Sequence, residues 1–168
     1  MNNLTNKAMK RTITIIMAIA ALLLCGCSAL RQTPEEKART AAQVQENLDN
    51  RQYTIDVTEM HPLRGPSRQV NGFSLKIDGD KIYSSLPYFG AAYNVPYGGG
   101  KGLNFEAGIS DYIDTTPKAD RRQIMLATYN GEDTYIYTIT VFSNGRANID
   151  VRSRNRDPMS YYGTMVTD

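Results

Sequence analysis

The apolar positions of this chain follow two different periods. Between Lys37 and Asp49 the apolar residues Ala38, Ala41, Ala42, Val44 and Leu48 recur at helical spacing among charged and amide side chains, the stripe of an amphipathic helix. Thr33-Pro34-Glu35-Glu36 stands before it, with Thr33 as N-cap, Pro34 at the first helical position and Glu36 closing a capping box. A helix is therefore predicted over residues 34–50. Its stripe is thin, which predicts a spacer helix lying lightly on one face of the body. From Tyr53 the period falls to two. Tyr53, Ile55 and Val57 alternate with Thr54, Asp56 and Thr58, and Phe73, Leu75 and Ile77 repeat the pattern. Asp78-Gly79 turns the chain into a strand over residues 81–86.

Further strands follow at Leu103 to Ile109, with a weaker one at Asp111 to Thr115, and then at Gln123 to Tyr129, Thr134 to Phe142, Arg146 to Arg152 and Met159 to Val166. Asn130-Gly131 and Asn144-Gly145 supply tight turns. His61-Pro62-Leu63-Arg64-Gly65-Pro66 reads as a break in pairing. The fold expected is mainly β (α+β): a leading helix and an antiparallel meander of eight or nine strands, forming a small barrel or curved sandwich.

One connection does not fit a plain meander. Residues 86–102 hold two prolines, five glycines and four aromatics, Tyr88, Phe89, Tyr93 and Tyr97. Connections of this length are uncommon in compact domains and usually carry function. The aromatic side chains make it the expected ligand- or partner-binding surface, and Gly98, Gly99 and Gly100 would offer close backbone approach and free amide donors. The competing expectation is that these rings plug one end of a barrel.

The N-terminal stretch changes the picture of location and charge. Lys7, Lys10 and Arg11 precede an apolar run from Ile13 to Leu24, and Leu24-Cys25-Gly26-Cys27 closes it as a lipobox. The expectation is a lipoprotein signal peptide over residues 1–26, removed before Cys27 is acylated. A tether over residues 27–33 and a single β-rich domain over 34–168 follow. Removal of the signal takes the Lys and Arg count from 19 to 16 against 17 Asp and Glu, so the mature chain is near neutral. No basic run remains to bind a phosphate backbone, and nucleic acid is not an expected partner. With Cys25 removed and Cys27 carrying lipid, no disulfide is available, and stability must come from the core.

Catalytic constellations are thinned out by counting. His61 is the only histidine, so a histidine-rich zinc site cannot form. No free cysteine remains as a nucleophile, and no Gly-x-Ser-x-Gly elbow is present. A triad using His61 is possible on paper, but its place before Pro62 suggests a turn histidine. Gly98-Gly99-Gly100-Lys101-Gly102 fails the spacing of a phosphate loop. Asp78-Gly79-Asp80 fails that of a calcium loop, since Ile82 and Tyr83 stand where oxygen ligands are needed. Glu106, Asp111 and Asp114 could pair, yet nothing in the sequence fixes their separation. No catalytic residue, metal or cofactor is expected.

Several motifs together resemble a known group: the lipobox, Tyr53-x-Ile55-x-Val57 followed by Met60 and Pro62, Leu86-Pro87-Tyr88-Phe89-Gly90, Pro96-Tyr97-Gly98-Gly99-Gly100, Leu103-x-Phe105, Asp111-Tyr112, Asn144-Gly145 and Asn155-Arg156-x-x-x-Ser160-Tyr161. The chain resembles an uncharacterised family of Bacteroidetes envelope lipoproteins, carried as a domain of unknown function. The resemblance implies an envelope lipoprotein and brings no activity, cofactor or catalytic residue with it. Lipoproteins of that group exported to the cell surface carry acidic residues soon after the acylated cysteine. Ser28-Ala29-Leu30-Arg31-Gln32 has none, so an outer-membrane position facing the periplasm is expected. The function expected is a non-enzymatic, lipid-anchored binding or accessory domain, taking a small apolar ligand or an envelope protein at residues 86–102. The alternatives are a structural subunit of an envelope complex, using that loop or the leading helix, and, third, a hydrolase with unassigned carboxylates.

Overall fold

The computed structural model describes residues 33–94 and 100–167. It holds a helix, α1 (Pro34–Asp49), and eight strands: β1 (Gln52–Pro62), β2 (Arg68–Asp78), β3 (Lys81–Ser85), β4 (Asn104–Lys118), β5 (Arg121–Tyr129), β6 (Thr134–Phe142), β7 (Arg146–Ser153) and β8 (Met159–Met165). The start of α1 is capped as its sequence requires. The Glu36 amide donates to Thr33 Oγ1 at 3.2 Å, and the Thr33 amide donates to Glu36 Oε2 at 2.8 Å.

Every strand pairs antiparallel with its sequence neighbours, and β1 also pairs with β8, so the sheet closes into an up-and-down barrel in the order β1 to β8. Barrel rather than sandwich is thus the outcome. Two predicted strands merge: Asn104–Lys118 is one strand. Its register shifts between Ile109 and Asp111 and again between Thr115 and Lys118. The first shift breaks the two-residue alternation that sequence reading relies on, and the second falls where Pro117 cannot donate to a ladder. A similar shift between Val57 and Glu59 carries β1 on through His61 and Pro62, which face Ser160 and Met159 of β8. The expected break at His61 is therefore the end of a strand, with Pro62 at its last position.

Closure fills the interior with side chains of alternate strand residues. Ile55, Leu75, Ile77, Ile82, Ile124 and Ile139 are completely buried, as are Tyr137 and Tyr161. Each such aliphatic side chain stabilises the fold by roughly 1.5–3 kcal/mol relative to exposure. An eight-stranded barrel has an interior about wide enough for its own side chains or one small ligand, and here the side chains occupy it. From Lys37 onward the helix belongs to the same compact unit as the barrel. Contrary to the expectation of light packing, Val44 and Leu48 are only 3% and 1% exposed and join the barrel core. Two well-placed residues suffice because they need only seal an end. Arg122 of β5 adds a polar pin, donating to Asp49 at the end of α1 and to Asp114 of β4.

The up-and-down topology sorts the connections. The hairpins β2–β3, β4–β5 and β6–β7 lie at the base with α1, while residues 63–67, 86–94, 100–103, 130–133 and 154–158 gather at the opposite rim. Gly163 of β8, opposite Val57 on the closing seam, marks the tightest approach: a Cβ there would lie 2.2 Å from the Asp56 carbonyl oxygen. The replacement Gly163→Ala is expected to cost about 3 kcal/mol, read as a lower denaturation midpoint in urea. A midpoint equal to that of the parent chain would show that the seam relaxes freely.

Candidate functional site

The predicted site residues divide into two groups. Tyr88, Phe89 and Tyr93, and Gly100 from the other side, are described. Tyr97, Gly98 and Gly99 lie outside the described residues, as does the lipidation position Cys27. The two ends of the loop belong to the core: Leu86 and Leu103 are 4% and 3% exposed. Between them, Tyr88 is half-buried against the core, whereas Phe89 and Tyr93 project, at 45% and 66% exposure. Leu86 and Leu103 at the ends of the loop plug the rim, and Phe89 and Tyr93 face outward.

Tyrosine hydroxyls inside the barrel hold those ends. Tyr161 Oη donates to the Pro87 carbonyl at 2.7 Å and Tyr135 Oη to the Gly102 carbonyl at 3.1 Å. Tyr137 Oη donates to Ser84 Oγ at 3.1 Å, and that hydroxyl donates onward to the Leu103 carbonyl at 2.7 Å. Burial raises the pKa of all three phenols, since a phenolate could not be solvated there. The pattern answers a need of any loop entering a core, where each buried carbonyl requires a donor.

The outward half is held by a residue that sequence reading missed. Asp157, between β7 and β8, accepts from Tyr93 Oη at 2.5 Å and from the Ala91 amide at 3.1 Å. Backbone bonds run both ways beside it. The Asp157 amide donates to the Ala91 carbonyl at 3.0 Å, and the Tyr93 amide to the Asn155 carbonyl at 2.7 Å. Tyr88 Oη closes the turn on the Ala91 carbonyl at 2.6 Å. Gly90 is required here, because a Cβ would stand 2.8 Å from Tyr88 Oη and 3.1 Å from Asp157 Cβ. Arginines lie over the rings: Arg68 is 4.1 Å from the Phe89 centroid and Arg156 5.3 Å from that of Tyr88. The only signal in the sequence was Asn155-Arg156-Asp157-Pro158 itself, a turn-forming run with an acid inside it.

The carboxylates considered for chemistry do not converge. Glu106 pairs with Lys81 at 2.9 Å, Asp114 pairs with Arg122, and Asp111 faces outward on β4. Among the described residues no group of three or more His, Cys, Asp or Glu side chains could hold a metal ion. A groove of about 340 Å³ lies at the base, away from the loop, between Ala41, Val44 and Gln45 of α1 and Thr116, Ala119 and Val141 of the barrel. The described part of the rim thus combines rings held in place, flanking guanidinium groups and one carboxylate serving as a latch.

With this geometry in hand, the chain can be placed among known proteins. A family model described as "Domain of unknown function (DUF4251)" matches residues 35–165. The chain belongs to the DUF4251 family. A similar solved structure is that of a DUF4251 family protein from Bacteroides eggerthii DSM 20697. It aligns with a TM-score of 0.59 at 13% identity, over 76% of this chain and 87% of that one. At that identity the likeness speaks for the fold. No curated protein matches the chain. The resemblance read from the motifs is therefore correct at the level of family, and the closed barrel is the form this DUF4251 domain takes.

The latch has a defined pH window. The hydrogen bond from Tyr93, then that from the Ala91 amide, holds the Asp157 carboxyl below its ordinary value, and the same bond to Asp157 raises the Tyr93 phenol. A lowered carboxylate contributes stability that is present above about pH 4 and lost as pH falls through its folded value. A raised phenol contributes stability present below about pH 10 and lost as pH rises through its own. Protection of the Ala91 and Tyr93 amides, taken relative to the free-chain exchange rate at each pH, is expected to be highest between those limits and to fall on either side. In Asp157→Ala it should be low throughout; equal protection in that variant would remove the latch.

Proposed function

We propose that this DUF4251 domain is a lipid-anchored accessory domain of the cell envelope that engages an envelope protein through its rim. The single observation that supports the reading is the division of the loop. On a barrel whose interior is already occupied, Phe89 and Tyr93 stand outward in fixed positions, although folding would favour tucking them in. Exposed aromatic residues beside arginine are the side-chain types that dominate protein interfaces. Their fixed placement lowers the ordering cost of association. A small apolar ligand would have to bind at this rim, because the interior is filled. The anchor in this reading is the lipid on Cys27, with the domain facing the periplasm.

The test places a photo-crosslinking residue at position 93 of the full chain in its own envelope, and another at Asn144, an exposed base residue. One defined protein adduct from position 93 and none from position 144 is the expected outcome. Phe89→Ala in the same chain should abolish the adduct while leaving the melting temperature within a few degrees. By contrast, Leu86→Ala, at a core position, should cost about 2–5 kcal/mol. Absence of a rim adduct, or equal adducts at both ends, would overturn the assignment. Replacing Cys27 by Ala should release the chain from the membrane fraction.

A further inference from the structure

The lone histidine, expected in a turn, stands near the end of β1 and contacts other side chains. It stands in a row of three side chains on the outer wall of the barrel, next to the rim. Ser67 Oγ lies 2.8 Å from His61 Nδ1. On the other side of the ring, Nε2 lies 3.2 Å from Glu59 Oε1. Tyr162 of β8 packs against the imidazole with centroids 4.4 Å apart and fixes its plane. Glu59 and His61 share the outward face of β1 because Met60, between them, points into the core. Ser67 reaches them from the far end of the five-residue connection to β2.

The Nε2 contact is informative in its imperfection. That nitrogen is buried and has no hydrogen bond of good geometry, yet a carboxylate oxygen stands within ion-pair distance. The Ser67 hydroxyl is within hydrogen-bond reach of Nδ1, and the Glu59 carboxylate stands on the opposite side of the ring, beside Nε2. A nucleophile in hydrogen-bond reach of a base, with the base oriented by a third group, is the general form of an activated hydroxyl. Here the two ring nitrogens exchange their usual roles.

We propose that Ser67 is an activated nucleophile and that Ser67, His61 and Glu59 form an acyl-transfer site for small carboxylic esters. Ser67 Oγ attacks the ester carbonyl carbon while its proton passes to His61 Nδ1. The tetrahedral intermediate collapses as Nδ1 returns that proton to the departing alkoxide, leaving an acyl-serine and a free alcohol. Water then attacks the acyl carbon, giving its proton to Nδ1, and Ser67 Oγ recovers it as the carboxylic acid leaves. Ser67 and His61 are the catalytic residues, and Glu59 is a positioning residue. Among the described residues the Arg64 and Gly65 amides, in the same connection, make no backbone–backbone hydrogen bond. Exposed Leu63 belongs to that connection, and Phe89 Cε1 comes within 4.0 Å of a Cβ built on Gly65. The apolar acyl group of the ester would lie against these two side chains. The site is open to solvent, which points to slow turnover on short acyl chains.

The acyl group shares Phe89 with the rim surface, but Ser67, His61 and Glu59 are not among the residues proposed to bind a partner, so labelling of Ser67 and crosslinking from position 93 can fail independently. Its test is labelling of the full chain by an alkyl fluorophosphonate, followed by peptide mapping, together with hydrolysis of p-nitrophenyl butyrate. A single adduct on Ser67, absent from Ser67→Ala, is expected. Labelling roughly a hundredfold slower in His61→Ala is expected as well. Glu59→Gln should slow labelling severalfold and Glu59→Asp should restore part of the rate, both at an unchanged melting temperature, which a purely structural role would not produce. Ser67 is exposed, so its alanine variant should fold normally and serve as the control. No adduct on the parent chain, an adduct that survives Ser67→Ala, or a His61→Ala chain that reacts at the parent rate would overturn the proposal.

Discussion

The pairing of β1 with β8 is the constraint on which the rest of the molecule depends. Once the last strand meets the first, no strand edge remains open among the eight, and every strand has one inward and one outward face. The interior then has a fixed and small cross-section, which the chain fills with isoleucines, leucines and tyrosines. The seam makes its own demand. Gly163 must lack a side chain because the Asp56 carbonyl occupies the space a Cβ would take, and the register shift near Val57 lies beside it.

Closure also decides where function can reside. A filled barrel has only an outer wall and two ends. The base is given to hairpins and to α1, whose Val44 and Leu48 seal it while Arg122 ties the helix end to β4 and β5. The rim receives the longer connections. Three tyrosines that count as core by burial serve it through their hydroxyls, which take up the Pro87, Gly102 and, through Ser84, Leu103 carbonyls. In this domain the hydrophobic core and the placement of the loop are one arrangement, and substitutions in either act on both.

How much of this could be read from sequence depended on the range of the interaction. The capping box at Thr33, the strand over Thr134 to Phe142 and the turn at Asn144-Gly145 are set by neighbours in the chain and were legible. The continuity of β4 was hidden because a bulge reverses the alternation by which a strand is recognised. The depth of Val44 and Leu48 was hidden because a stripe of two strong apolar residues looks weak until a barrel end of matching width is present. Asp157 and Ala91 are 66 residues apart, and nothing local to either announces the other. The same holds for the row at His61, where Ser67 is near in sequence but Glu59 shares its face only because of the strand that the prolines seemed to forbid.

The short bonds around Asp157 have a thermodynamic consequence. Residues 88–93 are ordered by the fold itself, through hydrogen bonds from Tyr88, Ala91 and Tyr93 and by the cation lying over Phe89. Their conformational entropy is therefore spent at folding and is not charged again when something docks on them. Association at this segment would show the heat-capacity change of apolar burial without the large opposing entropy that marks coupled folding. The rim would behave in a calorimeter as a rigid surface.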